Sequence, residues 1–121
     1  MKPINYKGRS TKKKLSKCTE VARLYDKIQI AYADVLEAND DIKSIRVNVP
    51  LDGADCGQYT TDFLCERRNG DLLVRECVFR SQLSLPRTIR LLQLSQTYWR
   101  DHGVYDWGIV VESEVKNNEA E

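Results

Sequence analysis

The chain has 121 residues, 41% hydrophobic and 31% charged, a size and balance that allow one domain with its own core. No run approaches the roughly 18 apolar residues of a membrane span, and no apolar stretch of a signal peptide follows the basic N-terminus, so a cytoplasmic protein with no membrane partner is expected. The net charge of +1 hides an asymmetry: residues 1–17 hold seven basic side chains and no acid, which leaves 12 basic against 18 acidic in the remainder, a net of −6. An acidic body excludes a broad phosphate-binding face, so any DNA contact has to come from the basic segment and a local patch.

Residues 1–18 read as a flexible basic arm, because they lack hydrophobic periodicity. Its Lys12, Lys13, Lys14 and Lys17 are candidate DNA contacts; the plainer alternative is a solubilising tail. From Thr19 to Glu37 the apolar residues Val21, Leu24, Tyr25, Ile28, Tyr32, Val35 and Leu36 recur at helical spacing, with Ser16 or Thr19 available as a cap. Ile42 to Leu51 alternates apolar Ile45, Val47 and Val49 with polar Ser44, Arg46 and Asn48, as a half-buried strand does. Residues 52–58 (DGADCGQ) are rich in turn formers.

Tyr59 to Arg80 reads as a β-hairpin turning at Asn69-Gly70, with one carboxylate in each strand, Asp62 and Glu76. A three-residue loop, Arg68 to Gly70, pairs Arg67 with Asp71. It sets Leu64 opposite Val74 and Asp62 opposite Glu76. A two-residue turn pairs Arg68 with Asp71, sets Asp62 opposite Cys77 and sends Glu76 to the other face. Two acids directly opposed sit about 5 Å apart at Cβ and repel, so a cation, a proton or an arginine is expected between them. In the alternative, Asp62 caps the strand start and Glu76 faces solvent on an edge.

Gln82 to His102 has the pattern of a second helix, with Ser84 as N-cap, Pro86 in the first turn and Gly103 as terminator. Its stripe is Ile89, Leu92, Gln96 and Trp99, widened by Leu91, Leu94 and Tyr98. Trp99 and Trp107 read as core residues, and His102 belongs at the helix C-terminus. Asp106 to Glu112 is a short apolar strand that suits a parallel position, and residues 113–121 are a disordered polar tail. Cys18, Cys56, Cys65 and Cys77 show no CxxC or CxxH spacing, so no zinc site is expected, and with nothing to suggest an oxidising compartment no disulfide is expected either. The resulting order, α-β-β-β-α-β, predicts an α/β domain with a small mixed β-sheet flanked by helices.

This order and its motifs resemble the restriction-endonuclease-like PD-(D/E)xK nucleases, and most of all the N-terminal domain of TnsA-type transposon endonucleases. The residues that carry the likeness are Leu36-Glu37, the strand ending at Pro50, Tyr59-Thr60-Thr61-Asp62-Phe63, and Glu76-Cys77-Val78 with the helix and strand that follow. The likeness makes residues 19–112 a nuclease-like domain. It implies that Asp62 and Glu76 hold Mg²⁺ or Mn²⁺ for phosphodiester hydrolysis, the ion polarising the phosphate and activating water.

Two positions depart from the pattern. Val78 stands where the family has lysine, and Gln29 falls where it has a helix-borne glutamate. Valine can neither donate a hydrogen bond nor carry charge. Arg80 would share the face of Val78 if the strand continued, and could steady developing charge as a third catalytic residue. Arg87 and Arg90 in the second helix could lean toward the acids or toward DNA; arginine cannot act as a general base. The resemblance therefore supports two readings. In one, a DNA-associated nuclease-fold protein retains weak or partner-dependent cleavage, with a protein partner or homodimer. In the other, a non-catalytic adaptor or inhibitor of a phage or mobile element uses the same fold to bind a protein.

Overall fold

The computed structural model describes residues 2–3, 10–51 and 59–112. The expected loop at 52–58, which contains Cys56, and the expected tail at 113–121 lie outside them, as do residues 1 and 4–9 of the arm. The elements are β1 (Lys2–Pro3), β2 (Thr11–Lys13), β3 (Ala22–Leu24), α1 (Lys27–Glu37), β4 (Ile42–Pro50), β5 (Tyr59–Arg67), β6 (Leu72–Cys77), a 3-10 turn (Arg80–Gln82), α2 (Pro86–Asp101) and β7 (Asp106–Val110). The main sheet runs β4-β5-β6-β7, with β1 also paired to β5 and β2-β3 forming a separate hairpin. Strands β4, β5 and β6 are antiparallel, and β7 lies parallel to β6 after the α2 crossover. The mixed α/β class and the α-β-β-β-α-β core order are as the sequence implies.

The first helix starts later than its periodicity suggests. Ala22 and Leu24 are buried and Arg23 exposed, so this stretch alternates and pairs with Thr11 to Lys13 as a ribbon. A short apolar set can satisfy either period, and the neighbouring basic strand decides between them. Asp26, not Ser16 or Thr19, caps α1: its Oδ1 accepts from the Gln29 amide at 2.8 Å.

The far end of that helix is closed by the segment expected to be a mobile arm. The Lys17 Nζ donates to the Leu36 and Asn39 carbonyls at 3.1 and 2.6 Å. The Ser16 amide and hydroxyl both donate to the Glu37 carboxylate, each at 2.7 Å. A cation on the last carbonyls of a helix satisfies orphan acceptors and opposes the negative end of the dipole. Leu15 beside it is buried among Ile28, Leu36 and Ile45. From Thr11 onward, then, the arm belongs to the folded domain. Lys17→Ala is expected to lower stability by about 1 kcal/mol in urea unfolding, and Lys14→Ala, at an exposed position, by much less.

The hairpin adopts the three-residue loop. The Arg67 amide donates to Asp71 O at 2.7 Å, the Gly70 amide to Arg67 O at 2.9 Å, and Leu64 faces Val74. Gly70 takes φ +94°, which glycine tolerates without a side-chain clash. Arg67 bridges Asp41 and Asp106, and Arg75 also pairs with Asp106 at 2.9 Å, tying the hairpin to both flanks of the sheet.

Two apolar clusters fill the two faces. Phe63, Cys65, Leu73 and Cys77 pack with Ile28, Ala33 and Leu36 of α1. Leu64, Val74 and Val49 pack with Trp99 of α2 and with Val104. Simple alternation would put Val47 and Val49 on one face, yet Val47 packs on the α1 cluster and Val49 in the α2 cluster. Asn48 between them has φ +53°, and the β4-β5 ladder skips it and Asp62 opposite. This left-handed residue turns the strand over.

Helix α2 begins at Pro86, not Gln82, and Ser84 does not cap it. Proline disfavours helical backbone in the residue before it, and Leu85 is accordingly extended. Its buried side chains are Leu92, Ser95 and Trp99; Ile89, expected in the stripe, is 42% exposed. His102 ends the helix as expected, its Nδ1 2.7 Å from Tyr98 O, and Gly103 follows at φ +83°.

Candidate functional site

The β5-β6 ladder ends at Phe63 and Arg75, one step before the two acids. Beyond that point β5 continues beside β1, while β6 continues beside β7. The strands part there like the arms of a fork. Backbone amides at such a split lose their ladder partners and need other acceptors.

The two carboxylates supply them. The Cys77 amide donates to Asp62 Oδ2 at 2.7 Å, and the Asp62 amide donates to Glu76 Oε1 at 2.9 Å. Each acid thus closes the backbone of the opposite arm. Both residues are wholly inaccessible to solvent.

Helix α2 and strand β7 complete the surroundings of Glu76. Its Oε2 accepts from the Thr61 hydroxyl at 2.9 Å and the Ser95 hydroxyl at 2.6 Å. Thr61 Oγ1 in turn accepts from the Trp99 indole N–H at 2.7 Å, and Ser95 Oγ from the Trp107 indole N–H at 3.0 Å. An indole N–H can only donate, so each hydroxyl must accept from its tryptophan and is left to donate to the carboxylate. Burial, and then the charge of Asp62, push the Glu76 carboxyl up to about 7, while the Ser95 hydroxyl and the Asp62 amide pull it back down.

The other positions drawn from the resemblance fall as follows. Gln29 does lie beside Asp62: its Nε2 donates to Asn48 Oδ1 at 3.0 Å and to the Asp62 carbonyl at 3.4 Å, and its Oε1 accepts from the Tyr25 amide at 2.8 Å. Val78 is a buried apolar residue whose amide donates to Val110 O at 2.9 Å. Arg80 is exposed, because β6 ends at Cys77 and the chain turns into the 3-10 segment; its amide donates to Glu112 Oε1 at 2.7 Å. The face shared with Val78 is therefore not reached by a continuing strand. Arg87 stacks over the Tyr59 ring at 5.6 Å and bonds its hydroxyl, at the end of β5 near the fork. Arg90 is exposed on α2.

The cationic candidates divide in two. Lys13 pairs with Asp34 and Lys17 closes α1, so both are used within the fold. Lys12 and Lys14 are exposed. Lys12 lies directly opposite Arg23, which is also exposed and was not singled out from the sequence. Thr61, Ser95, Trp99 and Trp107 were not foreseen as a polar cluster either. The available signal was Ser95, a hydroxyl in the apolar stripe of a helix, which has to find a partner when buried.

The donor set fits a divalent ion poorly. Mg²⁺ prefers octahedral oxygen coordination and keeps several waters, leaning on one or two carboxylates. Here both oxygens of Glu76 and Oδ2 of Asp62 already accept from protein donors, in a place closed to solvent. Among the described residues no three His, Cys, Asp or Glu side chains gather to hold a metal.

The chain is thus a mixed α/β domain with a buried carboxylate pair at a strand fork. No protein-family model matches it, and no curated protein matches it significantly. Among the described residues, no helix is long and apolar enough to cross a membrane.

Proposed function

We propose that this chain is a restriction-endonuclease-like scaffold that binds nucleic acid without cleaving it. The observation that carries the binding half is the β2-β3 ribbon, where Lys12 and Arg23 face each other across the strands, both exposed. Like charges directly opposed weaken a strand pair, and a phosphodiester lying along the ribbon removes that repulsion. The high basic density of residues 1–17 supports the same reading. The non-hydrolytic half is supported by Val78 in place of the family lysine and by the engagement of Glu76 with Thr61, Ser95 and the Asp62 amide.

A salt titration of DNA affinity tests it. Each phosphate contact contributes about 0.9 to the slope of log affinity against log salt, so the Lys12→Glu/Arg23→Glu variant is expected to lose roughly two contacts' worth of slope and about tenfold in affinity. Lys13→Ala, whose charge is spent on Asp34, is expected to change affinity little. Wild-type chain that fails to bind DNA, or nicks supercoiled plasmid with Mn²⁺, overturns the reading.

A second reading rests on a different surface. Leu85 and Ile89 are 48% and 42% exposed at the start of α2, next to Arg87 and Arg90. An apolar pair ringed by arginines suits a protein partner, as an adaptor or inhibitor would require.

A further inference from the structure

We propose that Thr61, Ser95, Trp99 and Trp107 form a built-in replacement for a cation at the β5-β6 fork. This deepens the non-hydrolytic half of the function proposed above and rests on it. When both acids are ionised the pair needs positive potential beside it, because two opposed carboxylates repel. Three neutral donors supply it to Glu76: the Asp62 amide at 2.9 Å, the Thr61 hydroxyl at 2.9 Å and the Ser95 hydroxyl at 2.6 Å.

The two hydroxyls are not free to turn away. Trp99 holds one and Trp107 the other, each through an indole N–H that has no alternative role but to donate. The two relays come from different elements, α2 and β7, and meet on one oxygen atom, Glu76 Oε2. A metal entering there would have to displace a donor whose own partner is a buried or half-buried tryptophan. The same bonds pin α2 and β7 to the fork. The role of the acid pair is therefore to close the split between two strands.

The chain has two tryptophans, so its indole N–H region holds two signals in a nitrogen-labelled sample. Ser95→Ala is expected to shift the Trp107 signal and spare that of Trp99. Thr61→Val is expected to do the reverse, and Glu76→Gln to move both. Mn²⁺ added to equal the protein is expected to leave both wild-type signals sharp. Should Mn²⁺ broaden both signals in the wild type and not in Asp62→Asn, an ion does sit between the acids and the proposal fails. It fails as well if Ser95→Ala moves the Trp99 signal instead, or neither. If Glu76→Gln does not fold, the Ser95 and Thr61 variants still decide the matter. A failed DNA titration would sink the binding half of the proposed function and leave these outcomes unchanged; plasmid nicking would sink the non-hydrolytic half and with it the replacement role, even where the indole shifts come out as expected.

Discussion

Glu76→Ala is expected to destabilise the domain by about 3–5 kcal/mol, the range in which loss of a buried polar network falls. The truncation leaves the Thr61 hydroxyl, the Ser95 hydroxyl and the Asp62 amide without their acceptor, all at buried positions. It also opens space between α2 and the sheet. Urea unfolding followed by tryptophan fluorescence gives the value, and a loss under about 1 kcal/mol would mean that water or a rearranged partner replaces the carboxylate.

The acid makes stability depend on pH, with a sign that can be worked out. Burial and Asp62 raise the Glu76 carboxyl from 4.5 to about 7 in the folded chain. Between those values the native state holds a proton that the unfolded state has released. The contribution from Glu76 is therefore fullest below the ordinary carboxylate range and is lost as pH rises through about 7. Wild-type stability should fall between pH 5 and 8, and in Glu76→Gln that part of the slope should disappear. An equal slope in both proteins would locate the titration elsewhere.

Gln29→Glu is the second large effect, expected to cost about 2–4 kcal/mol at pH 7, as an uncompensated buried acid does. Gln29 is fully buried, and its amide nitrogen donates to two acceptors, Asn48 Oδ1 and the Asp62 carbonyl. A carboxylate turns that donor into a third acceptor and places another negative charge beside the Asp62 backbone carbonyl. Placing at position 29 the acid that the resemblance implies is therefore expected not to create a metal site. Calorimetric Mn²⁺ titration of the variant checks the alternative: a new binding heat with no loss of stability would show that the surroundings still suit an ion.

Local rules made much of this legible. The Asn69-Gly70 turn, the strand from Ile42 and the helical run before Gly103 each depend on residues close in sequence, whereas the alternation of that strand breaks at Asn48. The hairpin register was reducible to two choices by counting from the turn. The parallel place of β7 also agrees with what the sequence implies. The boundary errors share one cause. Val21 to Tyr25 and Gln82 to Leu85 are short stretches whose periodicity fits more than one element, and neighbours elsewhere in the chain choose between them.

By itself the sequence determined the order of the core elements and narrowed the hairpin to two registers, one of which sets Asp62 opposite Glu76, because both follow from spacing along one or two adjacent strands. Only the tertiary structure decided what those acids touch. Ser95 lies 19 residues from Glu76, and Trp99 lies 38 residues from Thr61. Whether a buried carboxylate faces water, an ion or a hydroxyl depends on how α2 and β7 pack onto the sheet. Packing joins residues that are distant in sequence, so no local pattern encodes it.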